Sequence, residues 1–313
     1  MIRLRESGFS LIELIVSLGL GLFLIAIMIN STSAIFRSSR SIEQTGEVAE
    51  TGRYLSDLLN TELRLAGFFG QLEYLTDPSA ELPDICLGPL KAGVHNAMAF
   101  PVQGLDNVPA GQRLCGGDLL LAGSDVLLVR RADTSAQTAD SKFIPTQHYI
   151  QAMADRFTVA VGAEQSSFNL RQADGVTPAP IRAWHQTIYY VSADNNFKRR
   201  RFYRGWLSPA EPLAEGVDDF QLVYGIDRSG DGNANAQSQQ PAFINSPGST
   251  EDWANTVAIE FYLLISSADA SAVTTEQISY SYADRTGLVF EDNKIRRLIK
   301  GFAAVENIRG PRQ

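Results

Sequence analysis

Soft metal ligands are scarce in this chain: 313 residues hold three histidines and two cysteines. His95, His148 and His185 are scattered without ligand spacing, so a shared histidine site is not expected. No nucleophile elbow, no phosphate-cradling Gly-rich loop ending in Lys and no paired-carboxylate motif occurs. Absence of motifs does not exclude catalysis, but nothing in the sequence argues for it, and the chain reads as a non-enzyme. Cations are outnumbered, 27 Lys and Arg against 35 Asp and Glu, for a net charge of −8. That acidity argues against broad electrostatic binding of nucleic acid. No repeat of 20–50 residues is visible, which removes solenoids and propellers. With 44% hydrophobic residues, the chain has ample material for a buried core.

What is present is concentrated in the first thirty residues. Arg3, Arg5 and Gly8 precede Phe9-Ser10-Leu11-Ile12-Glu13, and an almost unbroken apolar run follows from Leu14 to Ile29. Such a run is long enough to cross a bilayer as a helix, which takes about 20 residues. One carboxylate, Glu13, stands in its first turn. A charge at the centre of a membrane helix costs about 2.5–3.5 kcal/mol on insertion scales, so Glu13 is a functional candidate by default. A short basic leader, an apolar helix and an enclosed acid suggest a subunit stored in a membrane and later packed into a helical filament. Two plainer readings remain open at this point: a signal anchor, or a secretory signal cut near Ser31-Thr32-Ser33-Ala34. Arg3 and Arg5 favour a cytoplasmic N-terminus, but Arg37 and Arg40 flank the far side of the run.

Gly8-Phe9-Ser10-Leu11-Ile12-Glu13 resembles the processing site of type IV prepilins. The resemblance implies cleavage after Gly8 by a prepilin peptidase and N-methylation of Phe9. Residues 1–8 would then be a leader peptide. Glu13 falls on the family's glutamate at the fifth mature position, where it would pair with the terminal amine of a neighbouring subunit. A pair in an apolar filament core offsets a desolvation that neither charge could bear alone.

After the apolar run, Ile42, Val48, Ala49, Leu55, Leu58, Leu59, Leu63 and Ala66 recur at steps near three and four. Phe9 to about Ala66 therefore reads as one helix of ~85 Å. Its half at 9–29 is membrane or filament core, and its half at 30–69 is amphipathic. Gly46 and Gly52 are candidate points of bending. Residues 70–118 read as an irregular surface excursion, since Pro and Gly recur too often for long elements. Residues 119–313 read as a β-rich domain. Strand-like runs at Ser124–Arg131, Phe157–Val161, Thr187–Ser192, Lys198–Tyr203, Phe220–Tyr224 and Val257–Ile265 have no helices between them. The expected class is α+β, a long N-terminal helix packed on an antiparallel sheet.

These strands extend the resemblance to the PilW family of minor pilins, related to the J-type minor pseudopilin of type II secretion. It rests on Gly123–Leu127, on Gly216–Phe220 with Tyr224–Asp227, on a Trp-led strand at Trp253–Leu264 and on the basic segment Arg296-Arg297-Leu298. The resemblance implies a structural subunit that helps prime pilus assembly and sits at or near the tip. Its implied partners are other minor pilins and the major pilin through the N-terminal helix, the pilus assembly platform and a tip adhesin. Its implied place is the inner membrane, single-pass with a periplasmic domain, and then the pilus. A J-type pseudopilin is the alternative within this lineage.

Three local features complete the sequence reading. Cys86 and Cys115 can form a bridge if their domain lies in an oxidising compartment; the closed loop of about 30 residues would contribute about 3–4 kcal/mol. Two unpaired buried thiols are the alternative. Asp227, Ser229, Asp231, Asn233 and Asn235 alternate around Gly232 like the start of a calcium loop, but the twelfth position is Ser238 rather than Glu. The same residues also build ordinary exposed turns. Lys198-Arg199-Arg200-Arg201-Phe202-Tyr203-Arg204 suits either a membrane-anchored polyanion-binding module or an edge strand guarded by charge.

Overall fold

The computed structural model describes residues 10–73, 81–137, 142–237, 239–271 and 277–308. Arg3, Arg5, Gly8, Phe9, Ser238 and the last five residues lie outside them. Helix α1 (Leu11–Leu65) is continuous for 55 residues, about 80 Å. Two short helices follow, α2 (Pro89–Ala92) and α3 (Val94–Ala99). Then come β1 (Val102–Leu105), β2 (Val126–Ala136), β3 (His148–Ala152) and β4 (Phe157–Val161). The chain continues through β5 (Ile181–Val191), β6 (Phe197–Tyr203), β7 (Trp206–Leu207), β8 (Glu211–Ala214) and β9 (Val217–Ile226). It ends with β10 (Phe243–Ile244), α4 (Thr250–Ala254), β11 (Thr256–Ala270), β12 (Tyr280–Tyr282), β13 (Arg285–Leu288) and β14 (Lys294–Ala304). A long apolar helix followed by antiparallel sheets is the α+β layout expected from the sequence.

The strands form two main sheets, both antiparallel. The first has the order β1-β2-β5-β3-β4. Its hub is β5: β2 runs along one edge, while β6 and β3 share the other. The second has the order β10-β9-β11-β14, and β12–β13 is a separate hairpin. One core joins α1 to both sheets, through Leu127, Val129, Tyr189 and Val191 of the first and Phe220, Leu222, Ile259, Phe261 and Leu263 of the second.

The helix is held along one stripe only. Val48, Gly52, Leu55, Leu59 and Leu63 are its buried residues, at steps of four, three, four and four. Gly52 is a point of contact rather than the bend expected there. A Cβ on it would meet Ile299 Cγ1 at 2.7 Å, so the missing side chain lets α1 lie close on β14. Ile42, assigned to the same apolar face, is 71% exposed, because the domain begins about one turn further on. The C-terminal end of α1 is closed by the rest of the chain. Asn307 Nδ2 donates to the carbonyls of Arg64 at 3.0 Å and Ala66 at 3.1 Å, and the Gly67 N–H donates to Arg130 O at 3.0 Å. These contacts take up carbonyls and a donor that a helix end leaves open.

Three further expectations need correction. The segment at 70–118 is not a surface excursion: it holds α2, α3 and β1, and Ala97, Met98, Phe100 and Val102 are fully buried. Pro and Gly shorten its elements without moving them outward. Trp253 does not lead a strand but lies in α4, where Ser249 caps the helix by accepting the Asp252 N–H at 3.1 Å. Strand β6 is not a sheet edge, since β8 and β7 pair with it on the side away from β5.

Candidate functional site

The most exposed apolar surface of the molecule is the first half of α1. Leu11, Ile12, Leu14, Leu18, Phe23, Met28 and Ile29 are each 60% or more exposed. No described part of the chain packs on this stretch. The helix is long and apolar enough to cross a membrane once. Glu13 lies in its first turn, exposed, with Ser10 as the extended N-cap residue. An acid there complements the positive end of the helix dipole. Gly8 and Phe9, the expected processing site, lie outside the described residues. The helix meets the base of the domain at Gln44, whose Nε2 donates to Asp269 O at 3.2 Å.

The cations of β6 pair within the molecule, although Arg201 stays half exposed. Arg199 forms a fork on Glu211, with Nε at 2.9 Å and Nη2 at 2.7 Å. Arg201 reaches the same carboxylate at 3.1 Å, and this arginine pair holds the Glu211 carboxyl below its ordinary range, Arg199 foremost. Arg200 Nε donates to Ser208 O at 2.8 Å, while Lys198 Nζ lies 3.2 Å from Asp118 and 3.5 Å from Asp194. These contacts pin β7, β8 and the loop before β2 onto β6. A polyanion would have to displace these contacts to reach Lys198, Arg199 and Arg200.

The Asp227–Asn235 loop is closed on itself. Asp227 Oδ1 accepts the N–H groups of Ser229 at 3.1 Å and Gly230 at 2.7 Å, and Oδ2 accepts that of Gly232 at 2.7 Å. Burial raises the Asp227 carboxyl, but the N–H groups of Gly232, Gly230 and Ser229 outweigh it and leave it lowered. Asp231 Oδ1 accepts the Asn233 N–H at 2.8 Å, and Asn235 Oδ1 accepts the Arg228 N–H at 3.0 Å. The side-chain oxygens of Asp227, Asp231 and Asn235 therefore meet donors of the loop itself. This is the hydrogen-bond geometry of a turn. Among the described residues, no group of three His, Cys, Asp or Glu side chains is placed to hold a metal ion.

Cys86 and Cys115 are joined by a disulfide, with their Cα atoms 5.5 Å apart. Sequence reading missed one feature of the first sheet. Arg130 is fully buried on β2, among the largest enclosed side chains of the molecule. Its Nη1 donates to Phe100 O at 2.7 Å, and Nη1 and Nη2 both reach Gln103 Oε1 at 3.1 Å. No carboxylate pairs with it among the described residues, and burial pulls its pKa down to about 9. A cation inside the hydrophobic run Val126–Arg131 was the available signal.

A second missed cluster ties the two sheets together. Asp219 on β9 accepts from Tyr282 Oη at 2.8 Å and Arg285 Nε at 3.1 Å, and Arg285 also donates to Gly123 O. Nearby Asp125 accepts the N–H groups of Asn107 and Leu222, each at 2.8 Å. Burial still pushes its carboxyl up to about 8, with Asp106 and Asp219 adding to the rise.

No curated protein and no solved structure matches the chain. Residues 188–307 match the family model described as Type IV Pilus-assembly protein W. The matched stretch runs from the second half of β5 through both central strands of the second sheet to the turn that closes α1. Over that stretch the chain is similar to the PilW family of type IV pilus assembly proteins, and the long apolar helix ahead of an antiparallel domain accompanies the likeness.

Proposed function

We propose that this chain is a minor pilin that is made as a prepilin, stored in the inner membrane with its domain in the periplasm, and then packed at or near the pilus tip. The observation that carries this reading is the division of α1. One continuous helix has a bare apolar half and a half laid along a sheet. A helix stripped of neighbours over some thirty residues needs another apolar medium, first lipid and then the helices of other subunits. Other minor pilins and the major pilin are the partners this surface fits, with the prepilin peptidase and the assembly platform acting before them.

Glu13 is the assembly residue in this reading. After cleavage at Gly8, the methylated amine of Phe9 in one subunit would face the Glu13 carboxylate of its neighbour. The pair would set axial register and neutralise two charges in a dry core. The expected outcome for Glu13→Ala is a processed chain that stays in the membrane fraction and is depleted in pili sheared from the cell surface. Normal abundance in sheared pili would remove this role. Absence of even the wild-type chain from sheared pili would favour the secretion-pseudopilus alternative.

A further inference from the structure

The segment at 81–88 crosses the outer face of the first sheet as a flap. Two glutamines hold its alternate carbonyls. Gln103 Nε2 donates to Pro83 O at 2.9 Å, and Gln186 Nε2 donates to Leu87 O at 2.9 Å and Ile85 O at 3.3 Å. Gly88 lies directly on the Phe202 ring, where no side chain would fit. Ile85 enters the apolar cluster of Leu128, Ile188 and Tyr190. Between the glutamines lies Arg130: Gln103 accepts its guanidinium, and Gln186 is its direct partner across β2 and β5. Arg130 Nε and Gln186 Oε1 are both buried without a hydrogen-bond partner.

This arrangement sets two tendencies against each other. The glutamine contacts and Ile85 hold the flap down. Arg130 gains from its opening, because a buried charge without a counter-ion is better solvated by water. Cys86 lies within the flap, and its bond to Cys115 ties it to the loop ahead of β2. We propose that the Cys86–Cys115 disulfide is a redox latch that keeps the 81–88 flap closed over Arg130. A dithiol reductant would give the bond two electrons and two protons, yielding two thiols on this chain and a disulfide on the reductant. The released flap lifts, Arg130 takes up water, and the apolar face around Leu128 and Ile188 is uncovered. This device is independent of the pilin reading.

The test uses the full chain in detergent, with dithiothreitol as reductant and two readouts. Amide exchange across 81–88 should rise at least tenfold on reduction, while exchange across 48–63 of α1 stays unchanged. Phenylglyoxal should label Arg130 only after reduction. The double variant Cys86→Ser with Cys115→Ser should show both effects without reductant. Arg130→Met should keep the flap protected in reduced protein, since the outward drive is gone. Unchanged exchange and labelling on reduction would overturn the latch, as would a rise spread equally over α1. Equal opening in Arg130→Met would overturn the part assigned to Arg130.

Discussion

The two halves of α1 share one backbone but differ in apolar content, and they obey different solvents. From Val48 to Leu63 the apolar residues fall on one stripe and the other faces are polar, so water and a sheet together satisfy the helix. From Leu11 to Ile29 apolar residues occur all round, and only lipid or other helices can satisfy them. The difference teaches where each half is stabilised. The packed half belongs to the fold of this chain. The bare half belongs to whatever surrounds it, and substitutions there should alter assembly without altering the domain.

The sharpest contrast pairs Leu59 with Ile42. Leu59 is fully buried against the sheet, and Leu59→Ala should cost about 2–5 kcal/mol through lost contacts and the cavity left behind. Ile42→Ala should leave the thermal midpoint of the solubilised chain unchanged and instead lower its share in sheared pili. Equal losses of stability would erase the distinction between the packed stripe and the exposed stretch of α1 ahead of it. Next come the two glycines. Gly52→Leu should cost about 1–3 kcal/mol, because even its Cβ meets Ile299. A Cβ on Gly46 would have nothing within 4 Å, so Gly46→Ala should stabilise the helix by up to about 1 kcal/mol. Circular dichroism melts of the two variants should move in opposite directions.

A pH dependence is seated in the domain. The Asp125 carboxyl is raised from 3.8 to about 8 by burial, against the N–H groups of Asn107 and Leu222. Its folded form keeps a proton that the unfolded form releases. Stability should therefore be highest below about pH 4 for this group and fall as pH rises toward 8. Asp106, also raised by burial, acts in the same sense. Asp125→Asn should flatten the thermal midpoint between these limits, and an unchanged slope would assign it to other groups.

Periodicity made the anchor, the long helix and six of the strands legible, since each carries its pattern in consecutive residues. Register and enclosure were less visible. Lys294–Ala304 is a full strand, but Arg296, Arg297 and Lys300 mask its alternation, and only its pairing with β11 reveals it. The run on β6 looked like a free basic patch because Glu211, Asp118 and Asp194 lie 4 to 80 residues away from the cations they meet. The Asp227 loop has the composition of a cation site and the hydrogen bonds of a turn, and composition alone does not separate the two. Arg130 was hidden because burial of a charge depends on what crosses the far face of the sheet. That crossing segment is the Pro- and Gly-rich stretch whose apolar residues give no periodic signal.

The central claim is that the bare half of α1 belongs to a processed pilin. Mass spectrometry of the N-terminus, on the chain purified from its native membrane, tests it most directly. The account predicts a chain that begins with N-methylated Phe9. An intact Met1 in cells with an active prepilin peptidase, or a start near Ile35, would contradict it.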